Sequence, residues 1–258
     1  MKKSLVIIFI WFFLQSCENN KVVYKPESSA RINSITVVVD NDNWNNTIGD
    51  KIRNLYADEY EGLPQIEERF TLKQMPYEAF SGFSRSSRNI IFINKTSNPE
   101  FFFEADKYAR PQIYLEIKGN SIKSLLDQIE KSKKEAINKF TNGEIEENKR
   151  RILKSPLKDT SAMKDFLIDM KMPSAYSLYK QDKNFIWYQK QIQKGHSNII
   201  VTQLPNQKNI FDYNIQSLIK LRDSIGKSFL PGRNPESFMI SEKAVSYTHL
   251  TLPTICSV

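Results

Sequence analysis

The sequence predicts an α+β fold with mixed, mainly antiparallel sheets and helices packed on one side. Three observations predict it. Short β-branched runs bounded by turn residues recur between Ile35 and Leu204. One long stretch, Asn120–Lys154, keeps a helical apolar period. Strands and helices come in runs, not in strict alternation.

The elements follow in order. Ile35–Asp40 (ITVVVD) is a β-branched run ending in Asp-Asn-Asp-Asn, which reads as a buried strand closed by turn residues. Trp44–Tyr60 carries Ile48, Ile52, Leu55 and Tyr56 at helical spacing, and Gly62-Leu63-Pro64 stops it. Arg69–Met75 alternates as a half-buried strand, Pro76–Phe83 suits a short helix, and Asn89–Asn94 (NIIFIN) is a second buried strand. Phe101–Phe103 and Gln112–Lys118 read as further strands. In the long helix, Ile122, Leu125, Leu126, Ile129, Ala136, Ile137 and Phe140 share a face. Asn142-Gly143 is expected to break or kink it, and Pro156 to end it. A short helix near Met163–Met170, strands at Tyr176–Tyr188 and Asn198–Leu204, and a helix at Ile215–Ile225 complete the pattern. Arg88–Ile91 and Ser197–Ile200 begin similar strands, which suggests two related halves, 32–155 and 156–243.

Both ends of the chain differ from its middle. Lys2 and Lys3 precede an uncharged apolar run, Val6–Leu14, that is too short for a spanning helix of about 20 residues. It ends in Leu14-Gln15-Ser16-Cys17, which looks like a lipobox. Residues 1–17 are therefore expected to be a lipoprotein signal ending at a lipidated Cys17, and the polar stretch 18–31 a flexible tether. Two or more acyl chains would hold the chain stably, since each buried CH₂ adds about 0.8 kcal/mol. At the other end, Val245–Thr254 (VSYTHLTLPT) resembles, codon for codon, a transposase adapter of sequencing libraries. Residues 244–258 are read as non-native, and the domain 32–243 as C-terminally truncated after a strand start at Ser237–Ile240.

On that reading Cys17 and His196 are the one cysteine and one histidine left, since Cys256 and His249 fall in the adapter. A disulfide then has no second thiol, and a zinc site built from His and Cys has too few ligands. The net charge of +8 suits a solvated surface or attraction to anionic lipid or glycan. Nucleic acid is not expected as a partner outside the cytoplasm. Lys and Glu interspersed over 127–154 read as an exposed helix face.

No catalytic, cofactor or metal residues stand out. Gly226-Lys227-Ser228 ends like a phosphate loop, but Leu221 stands where the first glycine is needed. Asp40, Asp42 and Asp50 miss the calcium-loop pattern at Trp44 and Asn45 and suit turns and a helix cap. His196 has no nucleophile-elbow partner. Glu67-Glu68 and Glu146-Glu147 read as solvated. Trp44, Trp187, Tyr188 and Phe101–Phe103 are the aromatics that could line a glycan or peptide groove, although such rings are more often core.

Ile35–Arg53, Gly62-Leu63-Pro64-Gln65, Arg88–Ile93, Phe185–Tyr188 and Leu221–Met239 resemble an uncharacterised lipoprotein family of Bacteroidota, a domain of unknown function. The resemblance covers Ile32–Lys243. It implies a cell-envelope address and more chain beyond Lys243, and it supplies no catalytic residues. The expected protein is an envelope lipoprotein at the outer membrane that binds or scaffolds an envelope protein or glycan without a cofactor. The alternative is a glycan hydrolase using two carboxylates. An open cleft with two facing carboxylates would favour the enzyme, and an exposed apolar or aromatic patch the binder.

Overall fold

The computed structural model describes residues 24–59, 67–193, 195–203, 214–234 and 236–241. The signal, Gly62-Leu63-Pro64 and the segment 244–258 lie outside the described residues.

A five-stranded sheet is built from β1 (Ser34–Val38), β2 (Thr71–Met75), β3 (Asn89–Lys95), β4 (Glu100–Ala105) and β5 (Ile113–Gly119), in the order β2-β1-β3-β5-β4. The α+β reading holds, but the pairing direction corrects the expectation for this sheet. β1 is parallel to β2 and β3, and β3 to β5, while β4 alone is antiparallel. The reason lies in β1, which is buried at every position. A strand covered on both faces is what parallel sheets require, and a helical crossover joins β1 to β2.

That crossover holds α1 (Asn41–Trp44) and α2 (Thr47–Tyr56). Asp40 caps α1 by accepting from the Asn43 amide at 2.8 Å. The long helix α3 (Ile122–Lys154) runs back from the end of β5. Ser121 and Ser124 start it with reciprocal side-chain-to-amide bonds of 3.2 and 3.0 Å. It passes Asn142-Gly143 without a break. Gly143 sits where a side chain would press on Ile113 Cδ1 of β5, so the glycine serves close helix–sheet approach.

Helices occupy one face of this sheet, as expected. Ile35, Val37, Ile91, Ile93, Leu115 and Ile117 meet Ile48, Ile52 and Tyr56 of α2 and Leu125, Ile129, Ala136 and Phe140 of α3. Phe140 is the hub, edge-on to Tyr56 at 6.3 Å and to Phe70 at 6.2 Å. The opposite face carries Val38, Ile90 and Tyr114 under Phe80 and Tyr108, and is covered by 3₁₀ turns at Tyr77–Ala79 and Gly82–Ser86. Among the described residues no helix is long and apolar enough to cross a membrane.

The second sheet is an antiparallel meander of β6 (Ser177–Asp182), β7 (Phe185–Ile192) and β8 (Gly195–Thr202). The single strand expected at Tyr176–Tyr188 is thus two, turned at Lys183-Asn184. One face packs Ile186, Tyr188, Ile199 and Val201 on Met163, Phe166 and Met172, around a short α4 (Ser161–Lys164). The other face meets α5 (Ile215–Phe229), where Phe229 stacks on Phe185 at 4.3 Å. The two sheets differ in strand number and direction, so the likeness of Arg88–Ile91 to Ser197–Ile200 is local. Ser237–Ile240 forms a single bridge, Phe238 to Pro231, and no strand.

Pro26–Arg31, read from sequence as the end of the tether, is bound to the first sheet. Ser28 N donates to Arg110 O at 2.9 Å, Ser29 N to Ser86 O at 2.8 Å, and Arg110 N to Pro26 O at 2.8 Å.

Candidate functional site

A groove opens between α5 and the α5-facing side of the second sheet. Alternation along β8 sends Asn198, Ile200 and Thr202 to this side, while Ile199 and Val201 enter the core behind. The helical period of α5 brings Leu218, Leu221 and Ile225 to face them. Leu230, Met239 and Ile240 close the far wall as the chain returns past α5. Gly226 makes that return feasible, because a Cβ there would overlap the Met239 carbonyl. Ser241 N then donates to Asp223 Oδ1 at 2.7 Å.

The cavity is about 340 Å³, at the low end of ligand-sized pockets. Its walls are mainly aliphatic, and among the described residues Arg222 supplies the one formal charge and no carboxylate lines it. At its β7 end the sheet face stays open. Trp187 lies there with the Tyr179 ring 4.5 Å away, and its Nε1 donates to Asn198 Oδ1 at 2.9 Å. Gln189 Nε2 donates to the same oxygen at 3.1 Å. The outer edge of β8 pairs with no other described strand.

The three candidate aromatics separate. Trp187 borders the groove. Tyr188 points the other way into the second core, where burial raises its hydroxyl pKa. Trp44 packs against the first core with the Arg53 guanidinium 4.6 Å over its ring, and its carbonyl accepts from Arg53 Nη2 at 3.2 Å. Phe101 and Phe103 also pack on that core. Cys17 lies outside the described residues. Of the acidic trio, Asp40 is a cap and Asp50 pairs with Arg53 at 2.7 Å. Gly226-Lys227-Ser228 lies inside α5, and His196 is exposed on β8 opposite Gln191.

A second polar centre was not foreseen. Glu144 and Glu147, expected on a solvated helix face, are both 2% exposed, as is Arg88. Glu144 accepts from Arg88 Nε at 2.8 Å and Nη2 at 3.0 Å, from Asn89 Nδ2 at 2.5 Å, and from Asn33 N at 2.8 Å. Glu147 receives Arg150 Nε at 2.7 Å and Arg151 Nε at 2.7 Å, with Arg88 Nη1 3.7 Å away. The bond from Arg150 is the largest influence holding the Glu147 carboxyl down at about 2, with Arg151 and Arg88 adding to it. This centre lies where β3 begins. In sheets of this kind ligand crevices form at the opposite, carboxyl ends of the strands, so the arrangement reads as an anchor for α3. The signal that could have revealed it is Glu144 and Glu147 spaced on one helix face, with Arg88 heading a buried strand.

Residues 28–153 match the model of Domain of unknown function (DUF8532), and residues 155–253 that of Domain of unknown function (DUF4837). The two matches are in keeping with an uncharacterised family, and they meet at Lys154, the last residue of α3. The second runs past Ala244 into the adapter-like segment. No curated protein and no solved structure matches the chain.

Proposed function

We propose that this chain is a bacterial envelope lipoprotein of the Bacteroidota type, held at a membrane by lipid on Cys17, which binds an extended segment of another envelope protein in the groove beside β8. The observation that supports the binding role is an apolar groove beside a strand edge that no other described strand pairs with. An added strand would satisfy the edge's N–H and C=O groups and send alternate side chains into the cavity. A glycan is the weaker fit, because the walls are aliphatic and Trp187 is already engaged by Tyr179 and Asn198. The hydrolase reading finds no carboxylate among the described residues that line the groove, and arginines already hold Glu144 and Glu147.

Photo-crosslinking from position 221, in cells of the source organism, tests the groove. The expected product joins Leu221 to an apolar stretch of a second protein identified by mass spectrometry, and Ile200→Asp abolishes it. Crosslinks only to this chain's own downstream residues would show that the groove is filled internally and end the binding proposal. For the anchor, Cys17→Ala should block lipidation and release the protein from membranes. Unchanged processing and membrane fractionation would refute it. The reading of Val245–Val258 as adapter predicts that those codons are absent from the locus in unfragmented genomic DNA. The family match extending to residue 253 argues the other way, and finding the codons in frame would settle against the adapter.

A further inference from the structure

We propose that the segment bound beside β8 carries an acidic side chain among aliphatic ones, and that Arg222 selects it. This rests on the binding role of the groove. Arg222 lines the groove and is exposed, and its guanidinium makes no hydrogen bond or ion pair with any described residue. Arg53, Arg88, Arg110, Arg150 and Arg151 each have a carboxylate partner within the chain. Arg31 and Arg233 are not among those pairs, but neither lines the groove. The acids on the same side are engaged or distant. Asp223 accepts from Ser241 N at 2.7 Å, Asp182 lies on β6, two strands from β8, and Glu236 sits in the turn that Pro231 and Phe238 close. The remaining charged residues of α5, Lys220 and Lys227, are cations.

The polar wall points the same way. Asn198 Oδ1 is filled by Trp187 Nε1 and Gln189 Nε2, whereas Asn198 Nδ2 makes only a long bond of 3.4 Å to His196 O. What Asn198 and Arg222 have to spare is donors, which a carboxylate accepts. The place of the charge decides between a side chain and a chain terminus. Arg222 stands midway along α5, with Leu218 a turn before it and Ile225 a turn after it on the same groove. The charge is thus met between apolar positions, so the acid lies inside the segment. Leu218 to Ile225 spans about 10 Å of helix at 1.5 Å per residue. Residues of a bound strand that face this wall recur every second position, about 6.7 Å apart. The acid is therefore expected two positions from an aliphatic residue. A segment without it would cover the guanidinium and leave it unpaired, and a basic one would be repelled, so Arg222 acts on partner choice more than on affinity.

The test pans a displayed library of random peptides against the purified full chain in three forms: parent, Arg222→Glu and Ile200→Asp. The parent should enrich Asp or Glu two positions from an aliphatic residue. Arg222→Glu should enrich Lys or Arg at that position, a reversal that misfolding could not produce. Recovered peptides are then synthesised and titrated by fluorescence anisotropy. Replacing their acid by its amide should weaken binding about two- to fivefold, and the loss should shrink in high salt. Peptides that bind the parent and not Ile200→Asp, yet show no acidic preference, would overturn the role of Arg222 and leave the groove standing. Binding that needs a free C-terminal carboxylate, and fails when the terminus is amidated, would overturn the assignment to a side chain. Recovery of no peptide whose binding depends on Ile200 would overturn both the selection and the groove.

Discussion

Glu144→Ala removes the acceptor at the centre of the buried ion-pair cluster and should unfold the first sheet far more readily. In the parent, four donors converge on this carboxylate, and two of them belong to an Arg88 that is 2% exposed. Alanine leaves that guanidinium with the Arg31 carbonyl at 2.9 Å and Glu147 at 3.7 Å, which cannot replace a bidentate partner. Breaking a buried pair on one side costs about 3–5 kcal/mol, against a total stability of about 5–15 kcal/mol. Removing both charges should cost less than the sum. Arg88→Met with Glu144→Leu leaves no orphaned ion, and the expected coupling is about 2 kcal/mol or more. Urea unfolding of the chain from Glu18 on, followed by Trp44 fluorescence with Trp187 changed to Phe, measures each corner of the cycle. A Glu144→Ala loss below about 1 kcal/mol, or additive losses in the double variant, would refute the argument.

Acid should act through Glu147. Its carboxyl is held at about 2 against an ordinary 4.5, so its contribution is present above the ordinary range and is lost as pH falls from about 4.5 through about 2. Arg150→Ala should move the acid-unfolding midpoint, read by circular dichroism, to higher pH, and an unmoved midpoint would contradict the assignment. Gly49→Ala should destabilise by about 1–3 kcal/mol, because a Cβ there overlaps the Trp44 carbonyl and the tight α1–α2 junction must open. Gly143→Ala meets only the tip of Ile113, so a helix-propensity gain of about 1 kcal/mol offsets the contact and the melting temperature should stay nearly constant. Equal effects of the two alanines would show that backbone approach is not what distinguishes these glycines.

Much of the architecture was legible because periodicity reports burial directly. Asn89–Lys95 and Ile113–Gly119 follow their apolar runs, and α3 follows Leu125, Ile129, Ala136 and Phe140. Strand direction was less visible. The apolar run at Ile35–Val39 fits any strand buried on both faces, and only the crossover through α2 argues for parallel pairing. The charged face of α3 misled because Glu144 and Glu147 are spaced like solvated glutamates, and their partner Arg88 lies far off in the chain. The groove was hidden for a similar reason. Its walls come from β8, α5 and Leu230–Ile240, which look like ordinary core in the sequence. Trp187 lies at the rim of the groove, whereas Tyr188 beside it faces the other way by strand alternation.

The length of α3 has a mechanical consequence. At 33 residues it extends about 50 Å, roughly twice the strands it packs on, and its last turns project past the sheet. Those turns hold the incoming chain through Arg150, Arg151 and Lys154 before it reaches β1. Tension applied at Pro26 is therefore expected to load the Arg110 loop and these helix turns before the central strand. The hook at Glu27 would slip before the sheet shears, and a single-molecule pull whose first extension step already includes β1 would show the opposite order. The second sheet is joined to the same helix end, so a pull between Pro26 and that sheet is expected to pass through the last turns of α3.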